Sequence, residues 1–417
     1  MVIVGRDVLT SRWSEIEVAD GIISAVRPCP APEGSEAPDL WVAPAFWDIQ
    51  INGRWGHSFS SPDLTVEQLA EIVRAQAALG TARLCPTLIT APRDALLHGV
   101  RTIAAACESY PDVGRMVLGI HLEGPFLSEV DGYRGAHPKE AIRDPDWVLF
   151  KELQAASGGR IVILTLAPER PGAIEFIRRA AGAGVTIALG HTAADGETIR
   201  QAVQAGARLS THLGNGIAAT LPRHPNPIWH QAAEDALFAS FIADGHHVDP
   251  ATLKVLARAK GPGKTILVSD ASWLSGLPPG TYGEWAVEAA GKIVVAGTPY
   301  LAGSNQALDV GLRTLLAATA WPLAEVLATV TRNPAMLLGQ PAPRLEAGQP
   351  ANVVLFESLY REGRFREGEA PAEPEFPACA ARQEPRSPIS GADSQMDDRG
   401  SVTIKRTCVD GVWHEPA

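Results

Sequence analysis

Four short apolar runs in this chain each stop at a residue able to bind a metal or carry a proton, and that repetition most constrains its fold. Residues 115–120 read as a buried strand leading into His121-Leu122-Glu123, with Gly124-Pro125 as the turn behind it. Residues 185–190 run into His191, residues 207–211 into His212, and residues 265–269 into Asp270. In a barrel of parallel strands, the carboxyl ends converge on one mouth, where chemistry is placed. One carboxylate, two imidazoles and a second carboxylate gathered there make a metal site with an acid/base beside it. Any one of them alone reads as an isolated polar residue at a strand end; four in series argue for a site.

Around these runs, strands and amphipathic helices alternate. Helices are expected at 65–79, 92–108, 144–156, 172–183, 196–205, 250–260, 305–319 and 322–331, with strands at 82–88, 161–166 and 238–242 between them. Such alternation fits an α/β barrel or a doubly wound sheet, and the number of polar strand ends favours the barrel. Residues 1–43 instead carry short β runs with Asp20-Gly21 as a hairpin turn, and residues 348–356 and 401–413 return to the same character. The expected organisation is therefore a β-sandwich part at 1–43, a (β/α)8 barrel at 44–340, and the rest of the sandwich at 341–417. Residues 361–400 are rich in Glu, Pro, Ala and Arg and read as a disordered insertion, since they hold too little apolar surface to offset their ordering entropy.

The formal net charge of −11 argues against nucleic acid or an anionic membrane as partner. No run approaches the ~18 apolar residues of a membrane helix, and Met1-Val-Ile-Val-Gly-Arg6 does not read as a signal peptide. Five scattered cysteines without C-x-x-C spacing are neither a disulfide framework nor a zinc knuckle, so a cytoplasmic protein is expected. Cys85 reads as a buried thiol and His57 as a surface histidine, while Trp273 divides evenly between packing and stacking on a sugar.

Glu123, His191 and His212 are donors suited to one divalent ion, zinc first and iron, cobalt or manganese also. Three protein ligands with an open position are the pattern of a catalytic site, in which the metal lowers the pKa of a water. Asp270 then serves as general base and acid, taking the proton of that water and passing it to a leaving nitrogen.

The order of motifs resembles the amidohydrolase superfamily and, within it, the N-acetylglucosamine-6-phosphate deacetylases. The matching text is Asp48-Ile-Gln-Ile-Asn-Gly53, His121-Leu-Glu-Gly-Pro-Phe126 with Gly135-Ala-His-Pro138, Gly190-His-Thr192, Thr211-His-Leu213 with Asn215 and Arg223, Asp244-Gly-His-His-Val248, Ser269-Asp-Ala271, Leu301-Ala-Gly-Ser304 and Asn333-Pro-Ala335. The resemblance implies a (β/α)8 barrel with a small β-sandwich from both termini, and hydrolysis of the acetamido group of N-acetylglucosamine 6-phosphate. By position it implies Glu123, His191 and His212 as metal ligands, Asp270 as base and acid, and His137 near the acetamido group, polarising its carbonyl. It places Asn215, Gly216, Arg223 and His247 around the sugar phosphate, with His247 reaching in from the neighbouring subunit of a homodimer. Two departures stand out. Gln50 and Asn52 occupy the place of a His-x-His that supports a second metal in many amidohydrolases, so a single metal is expected. Leu213-Gly-Asn-Gly-Ile217 replaces an aromatic followed by Asn-Ala-Met, and His224-Pro225 follows Arg223 instead of Glu-Pro. Two further readings stay open here: a related amidohydrolase with another N-acyl amine as substrate, and a non-catalytic sugar-phosphate binder.

Overall fold

The structure, a computed structural model, describes residues 1–32, 40–358 and 402–416; the expected insertion at 361–400 lies outside the described residues. Eight parallel strands occupy Phe46–Ile51, Thr81–Ile89, Ile120–Glu123, Ile161–Leu166, Thr186–Leu189, Ala207–Ser210, Phe238–Phe241 and Thr265–Leu267, each beside the next. The first and last meet just past the eighth strand, where Asp270 N–H donates to Gln50 O and Asn52 N–H to Ala271 O, both at 2.9 Å. Those bonds nearly close the sheet into a barrel. The strands are covered on both sides: all six residues of Phe46–Ile51 are buried, the polar Asp48 and Gln50 among them.

Amphipathic helices return the chain on the outside: Val66–Ala78, Arg93–Ser109, Trp147–Ala156, Ala173–Gly182, Gly196–Ala205, Pro227–Ala233, Pro250–Lys260 and Leu308–Thr319. Their starts are written locally. Thr65 and Gln68 form a reciprocal capping box on the first, and the carboxylates of Asp195 and Asp249 cap two others.

Seven strands from both ends of the chain build the β-sandwich, in the spatial order Val412–His414, Val402–Val409, Val353–Ser358, Leu40–Pro44, Val2–Asp7, Trp13–Ala19, Ile22–Pro28. The Asp20-Gly21 hairpin is present, and the equivalent Asp410-Gly411 turn packs on it: a Cβ on Gly411 would lie 2.7 Å from the Gly21 Cα. Asp410 also ties the sandwich to the barrel, accepting from Arg115 at 2.7 Å.

Helices at Pro227–Ala233 and Arg332–Leu337 add to those expected, and two further regions differ in kind. Residues 115–120 are not one strand: Pro111–Met116 is a short helix and the strand begins at Ile120. Pro111, whose fixed φ suits the first helical turn, starts that helix, and residues 117–118 touch the sheet through a bridge from Val117 to Leu84 and a bond from Leu118 N–H to Leu84 O at 2.9 Å. Between the eighth strand and the last helix, Gly280–Tyr282, Trp285–Val287 and Ile293–Val295 form a small antiparallel sheet that the sequence did not announce, because three-residue strands carry no readable period.

Polar side chains cross-link the barrel interior. His121 Nδ1 donates to Ile49 O at 3.0 Å, and its Nε2 accepts from Thr165 Oγ1 at 2.8 Å, which in turn accepts from Thr211 at 2.8 Å. Burial pushes His121 down to about 4, so the ring is neutral, with one donor and one acceptor. Asp48, buried, accepts from the backbone N–H groups of Gln50 and Ser269. Burial pushes its carboxyl up to about 7. The folded chain therefore binds a proton there that the unfolded chain has released above pH ~4, and stability falls as pH rises from about 4 to about 7, by at most about 1.4 kcal/mol per pH unit. Asp48→Asn, which keeps an acceptor and loses the charge, is expected to gain stability relative to the parent on going from pH 5 to pH 8. Urea melts at the two pH values check this; a difference that does not change with pH contradicts it.

Candidate metal centre

Glu123 is the last residue of the third barrel strand, and His191, His212 and Asp270 follow the ends of the fifth, sixth and eighth. His191, His212 and Asp270 all have positive φ, at 50°, 31° and 46°. That conformation is unfavourable for residues with a Cβ, and it persists where surrounding structure enforces it, most often at functional sites. Here it accompanies the convergence of side chains from distant strands on the barrel mouth.

Glu123 Oε1 lies 2.9 Å from His212 Nε2 and 3.3 Å from His191 Nε2, and the two Nε2 atoms are 3.2 Å apart. All three residues are buried, and one ligand atom from each falls within 4.8 Å of the others. His191 Nδ1 donates to Tyr133 O at 2.9 Å, which turns Nε2 toward Glu123 and His212. A carboxylate oxygen and two imidazole nitrogens packed this closely, away from water, fit a divalent cation, which would satisfy all three acceptors at once.

The electrostatics match. Burial pushes the Glu123 carboxyl up, yet hydrogen bonds from His191 and His212 outweigh it and hold the group well below the ordinary carboxylate range. Burial opposes protonation of His212, but Glu123 overrides this and raises it. Burial, with the Glu123 charge adding to it, lifts Asp270 to about 6, against the pull of His212, His247 and Asn52. His137 is pushed down to about 3 by burial and by His191. Its Nδ1 accepts the Thr90 N–H at 3.3 Å, leaving a proton on Nε2, which lies 3.2 Å from His191 Nε2.

Gln50 and Asn52 do more than leave a metal position empty of imidazoles. Gln50 Nε2 and Asn52 Nδ2 donate to the same oxygen, Asp270 Oδ1, at 3.1 and 2.7 Å. The Gln-x-Asn spacing at a strand end was the available signal, since alternate strand residues share a face; its target, more than 200 residues away, was not visible.

The remaining expected residues divide. Asn215, Gly216 and His247 line the same cavity as the triad and Asp270. Gly216, with φ +59°, passes so close to His191 that a Cβ would sit 2.6 Å from its Nδ1. His247 Nδ1 donates to Asp244 Oδ2 at 2.8 Å, and Ser304 Oγ donates to that oxygen at 2.9 Å. Burial pushes the Asp244 carboxyl up, yet the His247 ring and the backbone N–H groups of His247 and His246 hold it well below the usual carboxylate range. The sequence reading expected His247 from a neighbouring subunit; here the strand-to-helix loop after Phe238–Phe241 carries it into the cavity of its own chain. Arg223 is exposed and does not line that cavity, so the chain by itself does not bring it to the site. His57 does not line the cavity either. Trp273 does, together with Trp285 and Tyr300 from around the small antiparallel sheet, and the two indoles lie 5.7 Å apart. Aromatic side chains thus reach the cavity wall from this part of the chain and not from 213–217.

Residues 41–413 match the amidohydrolase family. An N-acetylglucosamine-6-phosphate deacetylase of Bos taurus is 36% identical over 342 residues, covering 79% of this chain and 82% of that protein. An N-acetylgalactosamine-6-phosphate deacetylase of Escherichia coli O157:H7 is 31% identical over 349 residues, covering 82% and 90%. Among solved structures, the N-acetyl-D-glucosamine-6-phosphate deacetylase of Mycobacterium smegmatis superposes with a TM-score of 0.80 at 27% identity, covering 99% of each chain.

Proposed function

The chain belongs to the amidohydrolase family, and from that premise we propose that it hydrolyses N-acetylglucosamine 6-phosphate to glucosamine 6-phosphate and acetate in the cytoplasm. The observation that carries this reading is the buried Glu123–His191–His212 triad sharing one cavity with Asp270. A single divalent ion, zinc first, would be held by those three residues and would supply a Lewis acid and a water of lowered pKa. With both amides engaged at Oδ1, Asp270 keeps Oδ2 for proton transfer: it takes a proton from the attacking water and returns it to the leaving nitrogen. The Nε2–H of His137 is placed to donate to the acetamido carbonyl, and the ring's low pKa keeps it a neutral donor that does not repel the metal. Asn215 and His247, the latter oriented by Asp244, take the sugar phosphate. Arg223, exposed in its own chain, completes that phosphate site from a second copy in a homodimer; Arg suits a phosphate dianion through paired charge-assisted bonds.

The galactosamine-phosphate relative at 31% identity, together with the altered 213–217 segment, supports a second reading in which the sugar differs. Acetate release from N-acetylglucosamine 6-phosphate, beside the unphosphorylated sugar and the galactosamine and mannosamine phosphates, separates them on metal-analysed protein. Release from the glucosamine phosphate with about one metal per chain is expected. Preference for the galactosamine phosphate supports the second reading, and no release from any sugar by metal-loaded protein refutes both.

A further inference from the structure

Asn52, in the wall of the site, carries an acceptor that the described residues leave unused. It follows the first barrel strand, is 9% exposed, and lines the cavity with Glu123, His191, His212 and Asp270. Its Nδ2 is committed to Asp270 Oδ1 at 2.7 Å. That bond also identifies the two ends of the amide, because the reverse orientation sets a carbonyl oxygen against a carboxylate. The remaining atom, Oδ1, is buried without a hydrogen-bond partner among the described residues. A buried acceptor left unpaired is unfavourable, and a ligand that donates to it removes the cost.

Resting on the deacetylase reading, we propose that Asn52 is a substrate-contact residue whose Oδ1 accepts the N–H of the scissile amide. An acetamido group offers one donor, that N–H; its carbonyl needs a donor instead, and His137 has one. Asn52 is bonded to the very carboxylate that delivers the proton, so acceptor and acid approach the nitrogen side by side. During the reaction the water oxygen forms the new bond to carbon, and the C–N bond breaks with its electron pair on nitrogen. The proton taken from water by Asp270 ends on that nitrogen. Asn52 exchanges no atom. Holding the N–H turns the nitrogen so that its lone pair, freed as amide resonance is lost, faces Asp270, and Oδ1 goes on to accept from the amine product.

The test compares two substrates of metal-loaded protein: N-acetylglucosamine 6-phosphate and the 2-O-acetyl ester of glucose 6-phosphate, which has no N–H. Asn52→Ala is expected to lower kcat/KM for the amide about 10-fold or more beyond its effect on the ester, the range for leaving one buried partner unpaired. Gln50→Ala, which removes only a donor to Asp270, is expected to slow both alike. A binding readout runs beside this: inhibition by glucosamine 6-phosphate relative to 2-deoxyglucose 6-phosphate, with the amine preference of the parent falling several-fold in Asn52→Ala. Asn52→Ser carries the same comparisons if the alanine variant loses its metal or its fold. Equal losses on amide and ester, or an unchanged amine preference, overturn the proposal. Failure of the deacetylase reading is seen separately, in a parent protein that releases no acetate from any acetamido sugar.

Discussion

Asp270→Asn is expected to lower turnover by at least about 10²-fold, the lower range for removing a general base, while metal content stays that of the parent. The substitution changes little else. An asparagine oxygen at the same place still accepts from Gln50 and Asn52, and Asp270 is not one of the three clustered ligands. What is lost, on the proposed mechanism, is the ability to take a proton from water and return it to nitrogen. The pH profile gives a second check on the same residue. Asp270 must be ionised to act as base, and burial with the Glu123 charge lifts it to about 6 in the protein alone. A bound cation favours the carboxylate and moves it down, so kcat/KM should fall with acid only below about pH 6. Turnover unchanged in the asparagine variant takes Asp270 out of the mechanism; an acid limb well above pH 7 assigns that limb to another group.

The second large effect comes from the ligands. Glu123→Ala leaves His191 and His212 without the carboxylate that both contact, at 3.3 and 2.9 Å. Metal content is expected to fall to background, and activity to drop more than about 10²-fold, beyond the 10- to 100-fold typical of groups that only support a ligand. A chelator should abolish the activity of the parent, and added zinc should restore it in the parent but not in the variant. His212→Ala is expected to behave the same way. Elemental analysis beside the assay decides: a Glu123→Ala protein with full metal and full turnover places the ion elsewhere.

Much of this is legible in the sequence. Glu123, His191, His212 and Asp270 could be picked out because each interrupts an apolar run, and a buried strand that ends in an ionisable group has few structural uses. The helices 196–205 and 250–260 were readable to the residue from their apolar period, and in the structure Asp195 and Asp249 cap their starts. Residues 115–120 misled because a short apolar stretch does not separate strand from buried helix by period alone. The sheet of Trp285–Val287 and its neighbours was silent for a related reason, being held by pairing and by an apolar cluster with Leu274 and Ile293 rather than by its own pattern. Arg223 and His247 came with a resemblance, and a motif in sequence does not say from which chain a side chain enters a cavity.

Local chemistry thus determined the alternation of strands and helices, the polar residues at the strand ends, the caps, and the donor set that suits a divalent ion, because each depends on neighbours a few residues away. Only the closed barrel decided which of those residues meet. Backbone bonds joining residue 270 to residue 50 and residue 271 to residue 52 bring two amides onto a carboxylate 220 and 218 positions distant. The positive φ of His191, His212 and Asp270 is held by packing that no local preference would produce. The orphan oxygen of Asn52 likewise exists only because folding removed it from water while its other end was committed to Asp270.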